Sequence, residues 1–329
     1  MNLNQLKNKI FTIQSDANFN EVAMEIFRYQ YKNNPVYHEF VSALKIHPRH
    51  VSHYLNIPFL PIEFFKTKKV ISGDENILNY FSSSGTTGMM TSKHFYQNTD
   101  LYQQSFTKAF QQFYGDVTNI TILALLPSYL ERKGSSLIFM VDSLIKESKN
   151  KKSGFYLDDL NSLANEMNIL DEAGEKVHLI GVSFALLDLV EQYQFNLKNT
   201  IVMETGGMKG RRKELVREEL HAQLRKGFGI NSIHSEYGMT ELFSQAYSLG
   251  DGIFNTPSWM KVLIRDVNDP LTLMGNNKTG GINVIDLANL DSCSFIATQD
   301  LGKTKEDGSF EVLGRFDASD IRGCNLLIG

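Results

Sequence analysis

Six consecutive residues, Ser83-Ser84-Gly85-Thr86-Thr87-Gly88, place four hydroxyls and two glycines in one short stretch. The glycines let the backbone curl so that successive N–H groups point inward as an anion nest, and the hydroxyls add donors for phosphate oxygens. The alternative is a simple turn joining two elements. The stretch is not a Walker A loop, because G-x-x-x-x-G-K-[S/T] occurs nowhere in the chain. A second segment, His234-Ser-Glu-Tyr-Gly-Met-Thr-Glu-Leu242, groups an aromatic ring, a glycine, a hydroxyl and a carboxylate. Tyr237 suits a purine face, Gly238 admits close backbone approach, Thr240 suits a phosphate, and Glu241 offers the hard oxygen ligand that Mg²⁺ prefers. The alternative for Thr240-Glu241 is a helix start, with Thr as cap and Glu favoured by the macrodipole. Two further pieces are Ala297-Thr-Gln-Asp-Leu-Gly302 and Gly314-Arg-Phe-Asp. Asp300, ending a strand, is placed to accept both hydroxyls of a ribose, and the planar fork of Arg315 suits ribose or phosphate. Two β-turns are the alternative.

The elements that must position these residues follow from periodicity. The first third reads as mostly helical: apolar residues in Asn20–Tyr31 share one helical face, with Asn18 or Asn20 as the cap. Pro58 and Pro61 break the chain, and Phe59–Phe65 reads as an ordered connector rather than a helix. From about Tyr80, strand candidates at 120–126, 177–180 and 200–203 alternate with helices at 135–148, 185–194 and 211–226. That alternation argues for parallel βαβ units. After Gly250, strands are expected at 261–265, 281–285, 295–298 and 310–313. The expectation is one unit over 1–329: a mainly helical region 1–79, an α/β nucleotide-binding core 80–250 and a β-rich portion 251–329.

The order S-S-G-T-T-G, Y-G-x-T-E, T-x-D-L-G, G-R-x-D resembles the adenylate-forming superfamily of acyl-CoA synthetases, firefly-type luciferases and peptide-synthetase adenylation domains, over about residues 80–323. The resemblance implies an α/β fold like the N-terminal domain of that superfamily, with helices around parallel-rich sheets. It implies a phosphate loop at Ser83, Ser84, Gly85, Thr86, Thr87 and Gly88. Nucleotide contacts would come from Gly206, Gly207, Met208, Glu236, Tyr237 and Gly238, with Thr240 on phosphate, Glu241 on Mg²⁺, and Asp300 and Arg315 on the ribose of ATP. Superfamily members usually continue past G-R-x-D into a mobile lid carrying a catalytic lysine. The sequence ends at residue 329, so the expectation is that lid and lysine are missing, with Lys209 or Lys93 as replacement cation.

Phe59-Leu-Pro-Ile-Glu-Phe-Phe-Lys66, Leu126-Pro-Ser-Tyr-Leu-Glu-Arg132, Glu204-Thr-Gly-Gly207 and Arg322-Gly-Cys324 look like the acyl-protein synthetases of bacterial bioluminescence operons (LuxE-type). That resemblance implies activation of a fatty acid as acyl-AMP, transfer to a cysteine near the C-terminus, matched by Cys324, and delivery to an acyl reductase partner. A thiol suits the task because its thiolate is nucleophilic and its thioester stays reactive. A small residue buried in a last strand is the other reading of Cys324, and Cys293 reads as buried structure. Two alternatives remain: a ligase that passes the acyl group to CoA or an acyl-carrier protein, and a nucleotide- or acyl-binding subunit with reduced catalysis. Phe139, Met140, Ser128, Tyr129 and Phe184 are candidates for an acyl pocket, or are simply core.

Composition bounds these readings. Hydrophobic residues at 42%, with 22 Phe and 13 Tyr, supply a core and exclude global disorder. Lys and Arg number 33 against 37 Asp and Glu, a charge of −4 that carries no nucleic-acid footprint. Two cysteines are too few for a disulfide framework or zinc cluster. No signal-peptide pattern opens the sequence, and no apolar run approaches the ~20 residues of a membrane span, so a cytoplasmic protein is expected. The G-x-S-x-G elbow of a serine hydrolase is absent.

Overall fold

A computed structural model describes residues 3–74, 76–83, 90–127, 134–206 and 215–315. The chain divides into two compact units. The first comprises residues 1–105, 239–244 and 255–329; the second comprises 106–238 and 245–254.

The first unit opens with α1 (Leu3–Ile10), α2 (Asp16–Asn33) and α3 (Pro35–Ala43). The first long helix starts earlier than its apolar face suggested. Its cap is Ser15, whose hydroxyl accepts from the N–H of Asn18, rather than Asn18 or Asn20. Asn34 ends α2 and caps α3 through Oδ1, with Pro35 at the first helical position. The fully buried Phe19, Phe27 and Tyr37 come from these helices, each worth about 1.5–3 kcal/mol of burial. The 59–65 stretch is not only a connector. Leu60–Pro61 forms β1, and Phe64–Thr67 makes one helical turn, α4. A hairpin of β2 (Tyr80–Ser82) and β3 (Lys93–Phe95) follows, then α5 (Asp100–Tyr114).

The second unit is the expected parallel α/β arrangement. Its strands are β4 (Thr121–Leu125), β5 (Gly154–Phe155), β6 (Val177–Gly181), β7 (Thr200–Thr205) and β8 (His234–Tyr237). They pair in parallel in the order β5-β4-β6-β7-β8. Every residue of β4 and β6 is buried, as both faces of a parallel sheet require. Between the strands run α6 (Ser136–Ser148), α7 (Leu160–Glu172), α8 (Ser183–Gln192) and α9 (Arg217–Phe228). Helix α9 begins later than residue 211, because Val216 is extended (ψ 151°). It ends at Gly229 (φ 68°), where a Cβ would meet the Phe195 carbonyl at 2.6 Å. Strand β9 (Ala246–Ser248) returns antiparallel on β8, and β10 (Ile253–Asn255) follows.

The remainder of the first unit is antiparallel: β11 (Met260–Arg265), β12 (Leu273–Met274), β13 (Gly280–Asp286), β14 (Phe295–Thr304) and β15 (Phe310–Arg315). They pair in the order β12-β11-β13-β14-β15, with β1 parallel to β14. Asp300 was expected to end a strand. It lies inside β14, directly opposite Arg315, with a register shift between Leu301 and Gly302. The turn alternative therefore fails for 297–302; of the second segment Gly314 and Arg315 lie in β15, and the rest falls outside the described residues. No described helix is long and apolar enough to cross a membrane.

Candidate nucleotide site

In the first unit, the hydroxyl stretch begins where the β2–β3 hairpin closes. Ser83 N–H donates to the Ser92 carbonyl (3.1 Å), and Ser92 N–H donates to Ser83 Oγ (2.9 Å). Ser84, Gly85, Thr86, Thr87 and Gly88 lie outside the described residues. Strand alternation then decides what β3 presents, since positions two apart share a face. The Ser92 side chain helps to hold the Glu241 carboxyl down, and His94 Nδ1 lies 2.8 Å from the Thr240 carbonyl. Lys93, between them, points elsewhere, with its ammonium 4.8 Å from the Tyr80 ring centroid.

Thr240 and Glu241 start no helix. They form a turn in which Leu242 N–H bonds the Met239 carbonyl, and the following N–H groups are taken by a distant side chain. Asp286 Oδ2 accepts from the N–H groups of Phe243 (2.7 Å) and Ser244 (2.9 Å), while Oδ1 accepts from Ser244 Oγ (2.5 Å) and Ala288 N–H (3.1 Å). Asn289 Nδ2 donates to the carbonyls of Glu241 (2.7 Å) and Cys293 (2.9 Å), which orients its Oδ1 toward His94 Nε2 (2.7 Å). Acceptors at both ring nitrogens favour a charged His94. Burial opposes this and pushes its pKa down to about 4. Ser92, His94, Asp286 and Asn289 escaped the sequence reading. Asp286 and Asn289 are signalled in sequence by their polar spacing within the otherwise apolar run 284–290; Ser92 and His94 sit in the polar stretch 91–94 and carry no signal.

Glu241 is buried, and burial raises its carboxyl above the usual range, while Ser92, its own N–H, Arg315 and Lys66 pull it back. A buried carboxylate so weakly compensated suits a cation. Mg²⁺ commonly takes one or two carboxylates together with substrate phosphates. Among the described residues no cluster of three or more His, Cys, Asp or Glu could hold a metal alone, so a shared ion is the form that fits. Arg315 Nε lies 3.7 Å from Asp300 Oδ1, and its Nη2 donates to Gln299 Oε1 (3.2 Å). Gln299 Nε2 donates in turn to Glu63 (2.6 Å).

The second unit gathers its candidates at the carboxyl ends of β7 and β8, where open α/β sheets bind ligands. Thr205 Oγ1 donates to Glu236 Oε2 (2.6 Å). Gly206 (φ 72°) presents its carbonyl to Ser183 Oγ (2.6 Å), and that hydroxyl also reaches Glu204 Oε2 (3.2 Å). A Cβ at Gly238 would meet Glu236 Oε1, so a side chain there would have to displace that carboxyl. Tyr237 is buried, its ring 6.0 Å from Phe254 in an edge arrangement. Gly207, Met208 and Lys209 lie outside the described residues, as do Ser128, Tyr129 and Cys324. Met140 and Phe184 are buried; Phe139 is half-buried, 6.3 Å from the Phe106 ring. Cys293 is fully buried and burial pushes its thiol up to about 12, so it is inert at neutral pH.

Burial, followed by the nearby Glu204 charge, raises Glu236 to about 7 against the pull of Thr205. A carboxyl raised on folding favours the protonated fold, so the parent loses stability as pH rises from about 4.5 through 7. Glu236→Gln is neutral throughout. The variant's stability relative to the parent is expected to climb across that window and level off near 3 kcal/mol, measured by urea denaturation at stepped pH. A pH-independent difference would show that the carboxyl does not titrate there.

No protein-family model and no curated protein matches the chain. Solved structures match in shape. ATP-bound MatB from Rhodopseudomonas palustris superposes with a TM-score of 0.55 at 16% identity, covering 74% of this chain and 49% of that one. An open conformation of 2-hydroxyisobutyryl-CoA ligase, in complex with 2-HIB-AMP and CoA, gives 0.64 at 10% identity, covering 93% and 72%. A long-chain-fatty-acid–CoA ligase (FadD1) from Archaeoglobus fulgidus gives 0.54 at 14%, covering 77% and 54%. The chain spans about half the length of the MatB structures it matches. At these identities the likeness establishes the fold alone: a mixed α/β architecture with a β-rich C-terminal portion, shared with these structures.

Proposed function

We propose that this chain uses ATP to activate a carboxylic acid, fatty or similar, as an acyl-adenylate and then transfers the acyl group to a thiol. The observation that carries the proposal is in the first unit. The foot of the hydroxyl loop and the Thr240-Glu241 turn, 157 residues apart from Ser83 to Thr240 (240 − 83), meet through β3, where Ser92 N–H donates to Ser83 Oγ and His94 Nδ1 lies 2.8 Å from the Thr240 carbonyl. In this reading the segment that leaves Ser83 supplies the donors for phosphate and Glu241 the hard anionic ligand, the pair of groups that a nucleoside triphosphate needs. The fold shared with an ATP-bound ligase and an acyl-adenylate-bound ligase supports it.

In this scheme the hydroxyl loop and Thr240 hold the phosphates, Asp300 and Arg315 hold the ribose, and Gly206, Gly207, Met208, Glu236, Tyr237 and Gly238 serve the base. Glu241 holds Mg²⁺, which supplies charge neutralisation on the phosphate oxygens when bound. The substrate carboxylate oxygen attacks the α-phosphorus, the bond to the β-phosphate oxygen breaks, and pyrophosphate leaves. Fixed donors aimed at the developing charge lower this barrier most. Thiolate attack on the acyl carbon then expels AMP. Cys324 is the proposed acceptor, with delivery to an acyl reductase. CoA or an acyl-carrier protein is the competing acceptor, favoured by the CoA-bound neighbour.

Radiolabelled pyrophosphate should exchange into ATP only when a carboxylic acid from a panel of chain lengths is present. Absence of exchange with every acid overturns the activation step. With labelled acid and ATP, the parent is expected to acquire covalent, hydroxylamine-sensitive label and Cys324→Ala at least tenfold less. Equal labelling removes Cys324 as carrier and leaves the CoA alternative.

A further inference from the structure

We propose that Lys66 is a catalytic cation of the adenylation step, with its ammonium facing the triphosphate; the inference rests on the activation proposed above. Helix α4 is held in place on two sides. Next to Lys66, the buried Phe65 packs edge-on against His94 with ring centroids 5.9 Å apart, and His94 Nδ1 contacts the Thr240 carbonyl at 2.8 Å. At the other side Glu63 binds Gln299 (2.6 Å), which binds Arg315 (3.2 Å). Pairing of β1 with β14 and the bond from Ile62 N–H to the Ala297 carbonyl fix the approach to the helix. Thus α4 lies beside both the Thr240-Glu241 turn and the Asp300–Arg315 pair.

Lys66 is exposed and, among the described residues, has no hydrogen-bond or ion-pair partner. Its positive charge nevertheless reaches the buried Glu241 carboxylate, as does that of Arg315. Arg315 is already engaged by Asp300 and Gln299. The other candidate on this unit, Lys93, is removed by alternation along β3, because it occupies the face opposite Ser92 and His94 and rests on Tyr80. A flexible ammonium without a partner, beside a carboxylate suited to Mg²⁺, has the chemistry to meet charge that grows on phosphate oxygens as pyrophosphate departs. The step itself balances without proton transfer: carboxylate and ATP⁴⁻ give acyl-AMP⁻ and pyrophosphate⁴⁻.

Lys66→Met is expected to lower carboxylate-dependent pyrophosphate exchange about a hundredfold and to weaken ATP binding in calorimetry several-fold. Lys66→Arg should recover part of both, since the charge is kept. A readout independent of turnover is amine acetylation followed by mass spectrometry: ATP should protect Lys66 and leave Lys68 unprotected. Lys66 lies at the surface, so the substitution should leave folding intact. Exchange and ATP affinity within twofold of the parent in Lys66→Met, or acetylation of Lys66 unaffected by ATP, would overturn the assignment. If the parent binds ATP and protects Lys66 but exchanges with no acid, the activation proposal fails while Lys66 remains a triphosphate contact.

Discussion

Glu241→Gln is expected to reduce carboxylate-dependent pyrophosphate exchange by at least a hundredfold, about 3 kcal/mol of transition-state stabilisation. The amide keeps the shape and one acceptor oxygen, so the Ser92 contact can survive. What disappears is the negative charge that the hairpin and the turn hold between Ser92, Arg315 and Lys66. The loss should appear as a steep rise in the Mg²⁺ concentration needed for half-maximal rate. The melting temperature should hold or increase, because a buried charge has been removed. Wild-type exchange with unchanged Mg²⁺ dependence in Glu241→Gln would remove Glu241 from the metal role.

The largest stability effect is expected at Asp286, a residue with no contact to substrate in the proposed scheme. It is fully buried, and its two oxygens accept four hydrogen bonds, three of them from backbone N–H groups of Phe243, Ser244 and Ala288. Burial raises its carboxyl to about 6, so at pH 7.5 it is ionised, and these donors are its compensation. Asp286→Ala leaves three buried N–H groups without an acceptor. Each such orphan costs about 1–3 kcal/mol, and relaxation around the site should bring the total to roughly 3–5 kcal/mol. Urea denaturation at pH 7.5 measures it; a loss under 1 kcal/mol would mean that the 243–244 backbone finds other partners. The same substitution loosens the chain directly after Glu241, so activity should fall even where the variant remains folded.

The residues that sequence alone exposed and those it hid differ in one physical respect. Ser83–Gly88, Tyr237–Glu241 and Asp300 stand out as candidates in the sequence because their chemistry is packed into a few neighbouring positions. The parallel strands β4, β6 and β7 are legible for a similar reason: burial on both faces writes a continuous apolar run into each. His94, Asp286 and Asn289 are ordinary polar residues until the fold closes, and their partners lie 146, 43 and 48 positions away. Local propensity also misjudged boundaries. Asp300 reads as the end of a strand, yet pairing with β15 carries β14 on to Thr304, a ten-residue strand that absorbs the mismatch as a register shift. Phe59–Phe65 reads as a connector because of its prolines, but Leu60 and Pro61 take an edge position on β14, where one strand face needs no donor.

Lys66 shows how topology reassigns a role. The family resemblance offered Lys209 or Lys93 as the replacement cation, and Lys209 lies outside the described residues. The period of a strand turns the Lys93 side chain away and leaves, among the described residues, a cation without a partner on a different element, 27 residues earlier (93 − 66).

The central claim is that the substrate carboxylate attacks the α-phosphorus of ATP. Incubation with an acid that supports exchange, labelled with ¹⁸O in its carboxylate, followed by transfer to a thiol, tests it most directly. One ¹⁸O atom per turnover is expected in AMP, with none in pyrophosphate. Label in inorganic phosphate or pyrophosphate, or AMP formed without label, would contradict acyl-adenylate formation.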